Sequence, residues 1–168
     1  ADAPRNIRLV NIRVIDGHGI GFFLDSFENN FVFSNVQVIR GAIGMYLGKG
    51  SRSNLIENSR FVGNGLYTYD DEKRMLVTRR SLHKNPREGI AIDASRNNTV
   101  TNSYFERNGI AGITLYKNCY EKHTDPKQIP RIQHSNSNEI THNTFVNENT
   151  GVWLASRQDK IQDRSYFG

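Results

Sequence analysis

Two stretches of the sequence, residues 67–87 and 117–135, concentrate side chains that are able to take part in chemistry. Arginine and lysine neutralise anionic groups, histidine serves as a base near neutral pH, and tyrosine donates a proton. The first stretch carries Tyr67, Tyr69, Asp70, Asp71, Lys73, Arg74, Arg79, Arg80, His83, Lys84 and Arg87. The second carries Lys117, Tyr120, Lys122, His123, Asp125, Lys127, Arg131 and His134. Any single lysine or arginine in these stretches is better explained as a solvated surface charge, but their clustering favours a site for an anionic ligand.

This combination of residue types suits removal of a weakly acidic, carbon-bound proton next to a carboxylate. That step requires a cation beside the carboxylate, a base that titrates near neutral pH and a proton donor. We expect Arg87 or Lys117 to neutralise the carboxylate. His123 or His83 would act as the base, and Tyr116 would donate the proton.

Two other kinds of chemistry remain open. Paired carboxylates would support glycoside hydrolysis, with Asp93 and one of Asp70, Asp71 or Asp125 as the acids. His123 and Asp125 are two positions apart, but no Cys/His spacing resembles a zinc motif. We therefore expect no metal and no cofactor, and a Ca²⁺ ion has no support in the sequence.

The elements that must position these residues follow from a glycine-led repeat. It occurs five times, as "GFFLD", "GMYLG", "GIAID", "GITLY" and "GVWLA", beginning at Gly21, Gly44, Gly89, Gly112 and Gly151. Two of the steps between these glycines are 23 residues, and the other two are 45 and 39 residues. Each long step is one repeat plus an insertion, about residues 67–87 and 117–135.

Asparagines recur at equivalent positions of successive repeats, and each such set is called a column. One runs through Asn11, Asn35, Asn58 and Asn102, with His142 in the fifth copy, and another through Asn30, Asn54, Asn98 and Asn138. Repeats of this length with short alternating apolar runs indicate a solenoid of strands, and no helical half or leucine signature points to a leucine-rich repeat. The fold class predicted is all-β, a right-handed parallel β-helix of about five coils with two inserted loops.

Residues 1–168 are expected to form one domain. Five coils would be only about 24 Å tall, and no capping helix precedes the first coil at "RNIRLVNIRV". We therefore expect a fragment of a longer solenoid, a homo-oligomer, or ends covered by flanking coils.

Alternation within the glycine-led strands predicts which side chains face outward. The inward set is Phe22, Leu24, Met45, Leu47, Ile90, Ile92, Ile113, Leu115, Val152 and Leu154. One outward column holds Phe23, Tyr46, Ala91, Thr114 and Trp153, and the next holds Asp25, Gly48, Asp93, Tyr116 and Ala155. The insertions would border this face from opposite sides and form a groove with Asp93 and Tyr116 in its floor. The exposed aromatics suit sugar rings equally well as packing beneath an insertion.

The repeat units "NNTVTNSYFERNGIAGITLY" and "NEITHNTFVNENTGVWLA" resemble the β-helix repeats of bacterial carbohydrate-active proteins. These include mannuronan C5-epimerases, polysaccharide lyases and periplasmic copper-maturation β-helix proteins. The resemblance covers nearly the whole chain outside the insertions and implies action on an acidic polysaccharide by C5-proton abstraction. The alginate epimerases carry an Asp-Pro-His-Asp/Glu motif, whereas this chain has Asp125-Pro126-Lys127. The substrate-binding residues expected on the groove are Phe23, Tyr46, Arg80, Lys84, Arg131 and Trp153.

The composition and charge of the chain limit the classes of molecule that it is expected to bind. The net charge of +5 favours a polyanion, which nucleic acid, a membrane surface and an acidic polysaccharide all provide. No nucleic-acid reader motif is recognisable, and the resemblance implies an acidic polysaccharide as the partner. No long apolar run or leader suggests a membrane segment. Cys119 is the only cysteine, so an intrachain disulfide is excluded, and "KNCYEKH" offers it no organised base. We expect a secreted or periplasmic protein that is a lyase, an epimerase or a non-catalytic glycan- or protein-binding module.

Overall fold

The structure is a computed structural model that describes residues 2–117 and 133–155. Short strands recur coil by coil. The first coil contains β1 (Arg8–Val10), β2 (Arg13–Ile15) and β3 (Ile20–Leu24), and the second contains β4 (Val32–Ser34), β5 (Gln37–Ile39) and β6 (Ile43–Leu47). The third contains β7 (Leu55–Glu57), β8 (Arg60–Val62), β9 (Tyr67–Asp70), β10 (Met75–Thr78), a 3-10 helix (Arg79–Leu82) and β11 (Ile90–Asp93). The fourth contains β12 (Thr99–Thr101), β13 (Tyr104–Glu106) and β14 (Ile113–Tyr116), and the fifth contains β15 (Glu139–Thr141), β16 (Thr144–Val146) and β17 (Val152–Leu154).

Equivalent strands of successive coils pair in parallel and form three sheets of five strands each. The first sheet has the order β1-β4-β7-β12-β15, the second β2-β5-β8-β13-β16 and the third β3-β6-β11-β14-β17. Strands β9 and β10 lie outside these sheets and pair with each other as an antiparallel hairpin. The predicted right-handed parallel β-helix of five coils is confirmed.

The corners between strands depend on residues in the left-handed backbone conformation. The predicted column of Asn11, Asn35, Asn58, Asn102 and His142 has φ angles between 49° and 58°. Asparagine tolerates this conformation because its short amide bonds locally, which explains why it recurs there. A similar column that the sequence did not disclose consists of Asp16, Arg40, Gly63, Arg107 and Asn147.

One assignment was wrong, because Asn30 does not belong to the column of Asn54, Asn98 and Asn138. Strand register places Phe31 opposite Asn54, and the Phe31 N–H donates to Asn54 Oδ1 at 3.0 Å. Asn30 instead has a φ of 58° and donates through Nδ2 to Asn6. Two adjacent asparagines at 29 and 30 hid this shift of one residue. The buried amide ladder therefore begins at Asn54.

Asn98→Ala tests this ladder. Asn98 Oδ1 accepts bonds from the Asn54 amide nitrogens, and its Nδ2 donates to Ser95 Oγ at 2.8 Å and Asn138 Oδ1 at 2.9 Å. Removing the amide leaves the buried Asn54 N–H without its acceptor, so we expect a loss of about 2–4 kcal/mol in the free energy of unfolding. Denaturant unfolding followed by circular dichroism measures this loss.

Asn97→Gly is the matched control, since Asn97 is exposed and its φ of 55° suits glycine. A change within about 0.5 kcal/mol is expected there. Equal losses of unfolding free energy in the two variants would show that the buried asparagine ladder does not stabilise the fold.

The glycines that lead the third-sheet strands are required by close backbone approach. A Cβ on Gly44 would lie 2.2 Å from the Gly89 carbonyl oxygen, and one on Gly89 would lie 2.6 Å from that of Gly112. Neither backbone oxygen can move without breaking the parallel pairing, so the position excludes side chains. The glycine repeat in the sequence therefore results from the close approach of the backbones of successive coils.

The core consists of aligned inward side chains from all three sheets. Phe105 is fully buried between Phe61 and Phe145, with ring centroids 5.2 and 5.0 Å away and nearly parallel planes. At the fifth coil the predicted inward residues Val152 and Leu154 keep their register with Ile113 and Leu115 but are exposed, Leu154 to 74%. No described coil packs on their far side, so burial was wrongly predicted there.

Candidate functional site

The outer face of the third sheet has the predicted register. Phe23 pairs with Tyr46, Tyr46 with Ala91, Ala91 with Thr114, and Thr114 with Trp153. Exposure is nevertheless confined to the ends of this column, where Phe23 is 55% and Trp153 43% exposed. The expectation of an exposed aromatic platform is therefore wrong for its middle.

The floor expected for an open groove is also buried. Tyr46, Ala91 and Tyr116 form a small apolar cluster, against which Ile20 and Ala155 pack. Asp93 is fully buried and Tyr116 nearly so. Packing on the outside of the sheet accounts for this difference from the prediction, since alternation along a strand fixes direction but not what lies beyond it.

Tyr46, Asp93 and Tyr116 bring polar atoms together within this buried cluster. The Tyr46 hydroxyl donates to Asp93 Oδ2 at 2.5 Å. Asp93 in turn stands directly opposite Tyr116, since β11 and β14 pair in parallel at these two residues. A carboxylate taken from water is stable only when it is bonded, so the hydrogen bond from Tyr46 offsets part of the cost of burying Asp93.

Arg87 and Glu88 complete this group from the end of the first insertion. Arg87 Nε donates to Glu88 Oε2 at 3.0 Å, and the Glu88 carboxylate is buried. Burial lowers the pKa of Arg87, but the charge of Glu88, with smaller effects of Tyr116, the Glu88 hydrogen bond and Tyr46, more than offsets it. The pKa of Arg87 is therefore raised and the side chain is a permanent cation. We call Tyr46, Arg87, Glu88, Asp93 and Tyr116 the phenol–arginine cluster.

A second arginine lies close to this cluster. Burial and the positive charge of Arg87 lower the pKa of Arg79, while Glu88 acts in the opposite direction. Arg79 Nε donates to the Asn85 carbonyl oxygen. Two cations, Arg79 and Arg87, thus lie close to each other beside the buried carboxyl groups of Glu88 and Asp93.

The first insertion is anchored to the coil at both of its ends. The Arg87 N–H donates to the Gly65 carbonyl at 3.0 Å, and the Ile110 N–H donates to the Arg87 carbonyl at 3.0 Å. Gly65 has a φ of 76°, and a Cβ there would lie 2.1 Å from the Arg87 carbonyl oxygen. This close contact fixes the backbone from which the Arg87 side chain extends.

The hairpin of the same insertion turns toward the first coil. Tyr69 stacks on His18 with ring centroids 3.8 Å apart. Asp70 Oδ1 accepts the N–H groups of Glu72 and Lys73 at 3.1 Å, and the Lys73 N–H is the main cause of a lowered Asp70 pKa. Asp70 thus stabilises the hairpin turn, and its role in a hydrolytic pair stays a prediction.

The second insertion returns to the opposite edge of the same face. Gln133 Nε2 donates to the carbonyl oxygens of Ser51 and Ala94, at 3.2 and 3.0 Å. The Ser135 hydroxyl is the hydrogen-bond donor to two carbonyl oxygens, that of Tyr116 at 2.6 Å and that of Ile92 at 3.1 Å. The described parts of the two insertions therefore meet the third sheet from its two sides.

The other predicted site residues are dispersed. His83 ends the 3-10 helix in a left-handed conformation with an exposed side chain, and Arg80 and Lys84 are also exposed. Lys117 is half-buried directly after β14. His123 and Arg131 lie outside the described residues, so their predicted roles stay predictions.

Sequence reasoning missed one member of the site. Glu88 occupies a position that is Ile43 in the preceding coil and Ala111 in the following one, and an acid in an apolar column is a signal of special use. Thr114 was assigned to the outward column without a role. Its hydroxyl is buried and has no hydrogen-bond partner among residues 2–117 and 133–155.

The described residues hold no set of three or more His, Cys, Asp or Glu side chains arranged for a metal ion. Within residues 2–117 and 133–155, no helix is long and apolar enough to cross a membrane. The family model described as "Right handed beta helix region" matches residues 2–165. No curated protein and no solved structure matches the chain.

Proposed function

Because this chain belongs to the right-handed β-helix family, we propose that it acts on an acidic, uronate-containing polysaccharide outside the cytoplasm. The reaction is abstraction of the C5 proton of a uronate, leading to lyase or epimerase chemistry. The observation that carries the proposal is the phenol–arginine cluster, in which a permanent cation, two buried acidic side chains and two phenols share one face of the solenoid. Buried ionisable groups of this kind cost stability and are typical of functional sites.

Arg87 is the group that neutralises the uronate carboxylate in this proposal. Within the described residues its hydrogen bond to Glu88 uses only Nε, so the terminal nitrogens of the guanidinium offer a fork for a carboxylate. Arg79 adds a second positive charge nearby. Neutralising the carboxylate lowers the barrier to forming negative charge at the adjacent carbon.

Tyr116 transfers the proton, and Tyr46 and Asp93 position it. Asp93 stands opposite Tyr116 and is bonded by Tyr46, so the phenol is held in a preorganised polar setting. In a lyase, His123 or His83 acts as the base that takes the C5 proton. The electrons of the C5–H bond form a C4–C5 double bond as the C4–O bond breaks, and Tyr116 gives a proton to the leaving oxygen. In an epimerase, a proton returns to C5 from the opposite face of the ring.

Incubation with alginate, pectate and glycosaminoglycans tests the proposal. A lyase produces ultraviolet absorbance from the new C4–C5 double bond. An epimerase changes the uronate composition and, in deuterated water, incorporates deuterium at C5, which nuclear magnetic resonance detects. Absence of both signals on all three classes of polymer would overturn the proposal.

A non-catalytic glycan-binding module is the second candidate. This candidate is favoured by the burial of Tyr46, Asp93 and Tyr116. The same burial is expected if the cluster only anchors the insertions to the outer face of the third sheet. Binding of the same polymers without absorbance change or deuterium incorporation would support the module over the enzyme.

A further inference from the structure

A second cationic feature lies on a different corner of the solenoid, between the third and first sheets. Arg52 and Arg96 are bridge partners in parallel register on the third and fourth coils. Their backbones are therefore about 4.8 Å apart, and side chains at equivalent positions of a ladder extend in the same direction. Both side chains are exposed. We call these two residues the arginine pair.

The arginine pair has no acidic partner within residues 2–117 and 133–155. The ion pairs found there involve Arg5, Arg40, Lys49, Lys73, Arg87 and Arg107. Like charges directly opposite each other on neighbouring strands repel and destabilise the pairing. An anionic group between the two guanidinium groups would turn this repulsion into attraction.

The surroundings of the arginine pair are also rich in hydrogen-bond donors. Ser53 and Asn97 follow the two arginines, and both are exposed in the left-handed conformation. Their backbone N–H groups are already used, Ser53 N–H donating to the Arg96 carbonyl at 3.1 Å. The backbone of this corner is therefore fixed, and the Ser53 and Asn97 side chains next to the two arginines are exposed.

We propose that Arg52 and Arg96 form a binding site for a carboxylate or sulfate group of an acidic polysaccharide, separate from the phenol–arginine cluster. This inference rests on the proposed function for its choice of ligand. The arginine pair lies on the corner that follows the third-sheet strands β6 and β11. The site contributes to affinity and takes no part in proton transfer.

The experiment measures binding of alginate and heparin to the full chain by isothermal titration calorimetry at two salt concentrations. Substituting both residues (Arg52→Gln and Arg96→Gln) should weaken binding roughly tenfold or more, since each charged hydrogen bond contributes on this scale. The dependence of affinity on salt should also become shallower, because fewer ion pairs form. Neutral dextran should not bind.

The matched control is the double substitution Arg8→Gln and Arg13→Gln, which removes the same charge from exposed positions on the first coil. Equal weakening in both double variants would overturn the inference, because net charge alone would then explain binding. Unchanged affinity after loss of Arg52 and Arg96, or no binding by the unmodified protein, would also overturn it. Thermal unfolding at the same temperature as the unmodified chain shows that the variants fold.

The outcome is separable from that of the proposed function. If binding depends on the arginine pair but no polymer is turned over, the inference stands and the proposed chemistry fails. If turnover occurs and the pair has no effect on affinity or KM, the chemistry stands and the inference fails. With both correct, loss of the pair raises KM and leaves kcat unchanged.

Discussion

Replacing Phe105 by alanine should lower the free energy of unfolding by about 3–5 kcal/mol. Its ring is fully buried and stacks between Phe61 and Phe145, so the substitution opens a cavity and removes two aromatic contacts at once. The surrounding coils are pinned by parallel backbone pairing and have little freedom to collapse into the space. Guanidinium unfolding, followed by circular dichroism, measures the loss.

Phe27→Ala is the control for this substitution. Phe27 is the same residue type, but its side chain is 51% exposed, and its ring covers Gly50 rather than the core. About 1 kcal/mol or less is expected. Similar losses for Phe27 and Phe105 would mean that the phenylalanine stack does not carry the stability of the third to fifth coils.

Tyr116→Phe should reduce turnover of the acidic polysaccharide by about 10²–10⁴-fold, the usual contribution of a proton-transferring side chain. The substitution keeps the ring that packs with Tyr46 and Ala91 and removes only the hydroxyl. KM should change little, since Arg87 and the arginine pair are intact. Steady-state kinetics by absorbance or deuterium incorporation gives the ratio of kcat values.

Tyr104→Phe provides the control on the same coil. Tyr104 lies in β13 on the second sheet, and its hydroxyl donates to Glu106 at 3.2 Å. We expect unchanged turnover in this variant. Turnover that survives Tyr116→Phe, in a protein that folds normally, would exclude Tyr116 from proton transfer.

The sequence specified the coil better than it specified the site. A Cβ on Gly44 or Gly89 would lie less than 3 Å from a backbone oxygen of the next coil. Only glycine fits these positions, so the glycines recur at a period that can be recognised in the sequence. The corner residues in the left-handed conformation are harder to recognise in the sequence, because Arg107 and Asp16 adopt the same backbone conformation as Asn11. Asn30 was assigned to the wrong column for another reason, because Phe31 holds the ladder position in that coil and Asn30 is its immediate neighbour.

The chemistry of the outer face was only partly predictable. Alternation correctly paired Asp93 with Tyr116 across two coils. It gave no information on burial, which depends on chain segments distant in sequence. Glu88 belongs to the cluster through its bond to Arg87, and only its departure from Ile43 and Ala111 pointed to it.

The junction at Gly65 has a wider meaning for how such a protein changes over time. Arg87 bonds to Gly65 as the coil resumes, and the Arg79 N–H donates to the Leu66 carbonyl at the point of departure. Residues 66–86 therefore leave and rejoin the solenoid at nearly the same place. Their length and composition can vary by insertion, deletion or recombination without altering the pitch or register of the coils. The coils can therefore stay the same while residues 66–86, which carry many of the cationic side chains, are replaced by a segment of different length and composition.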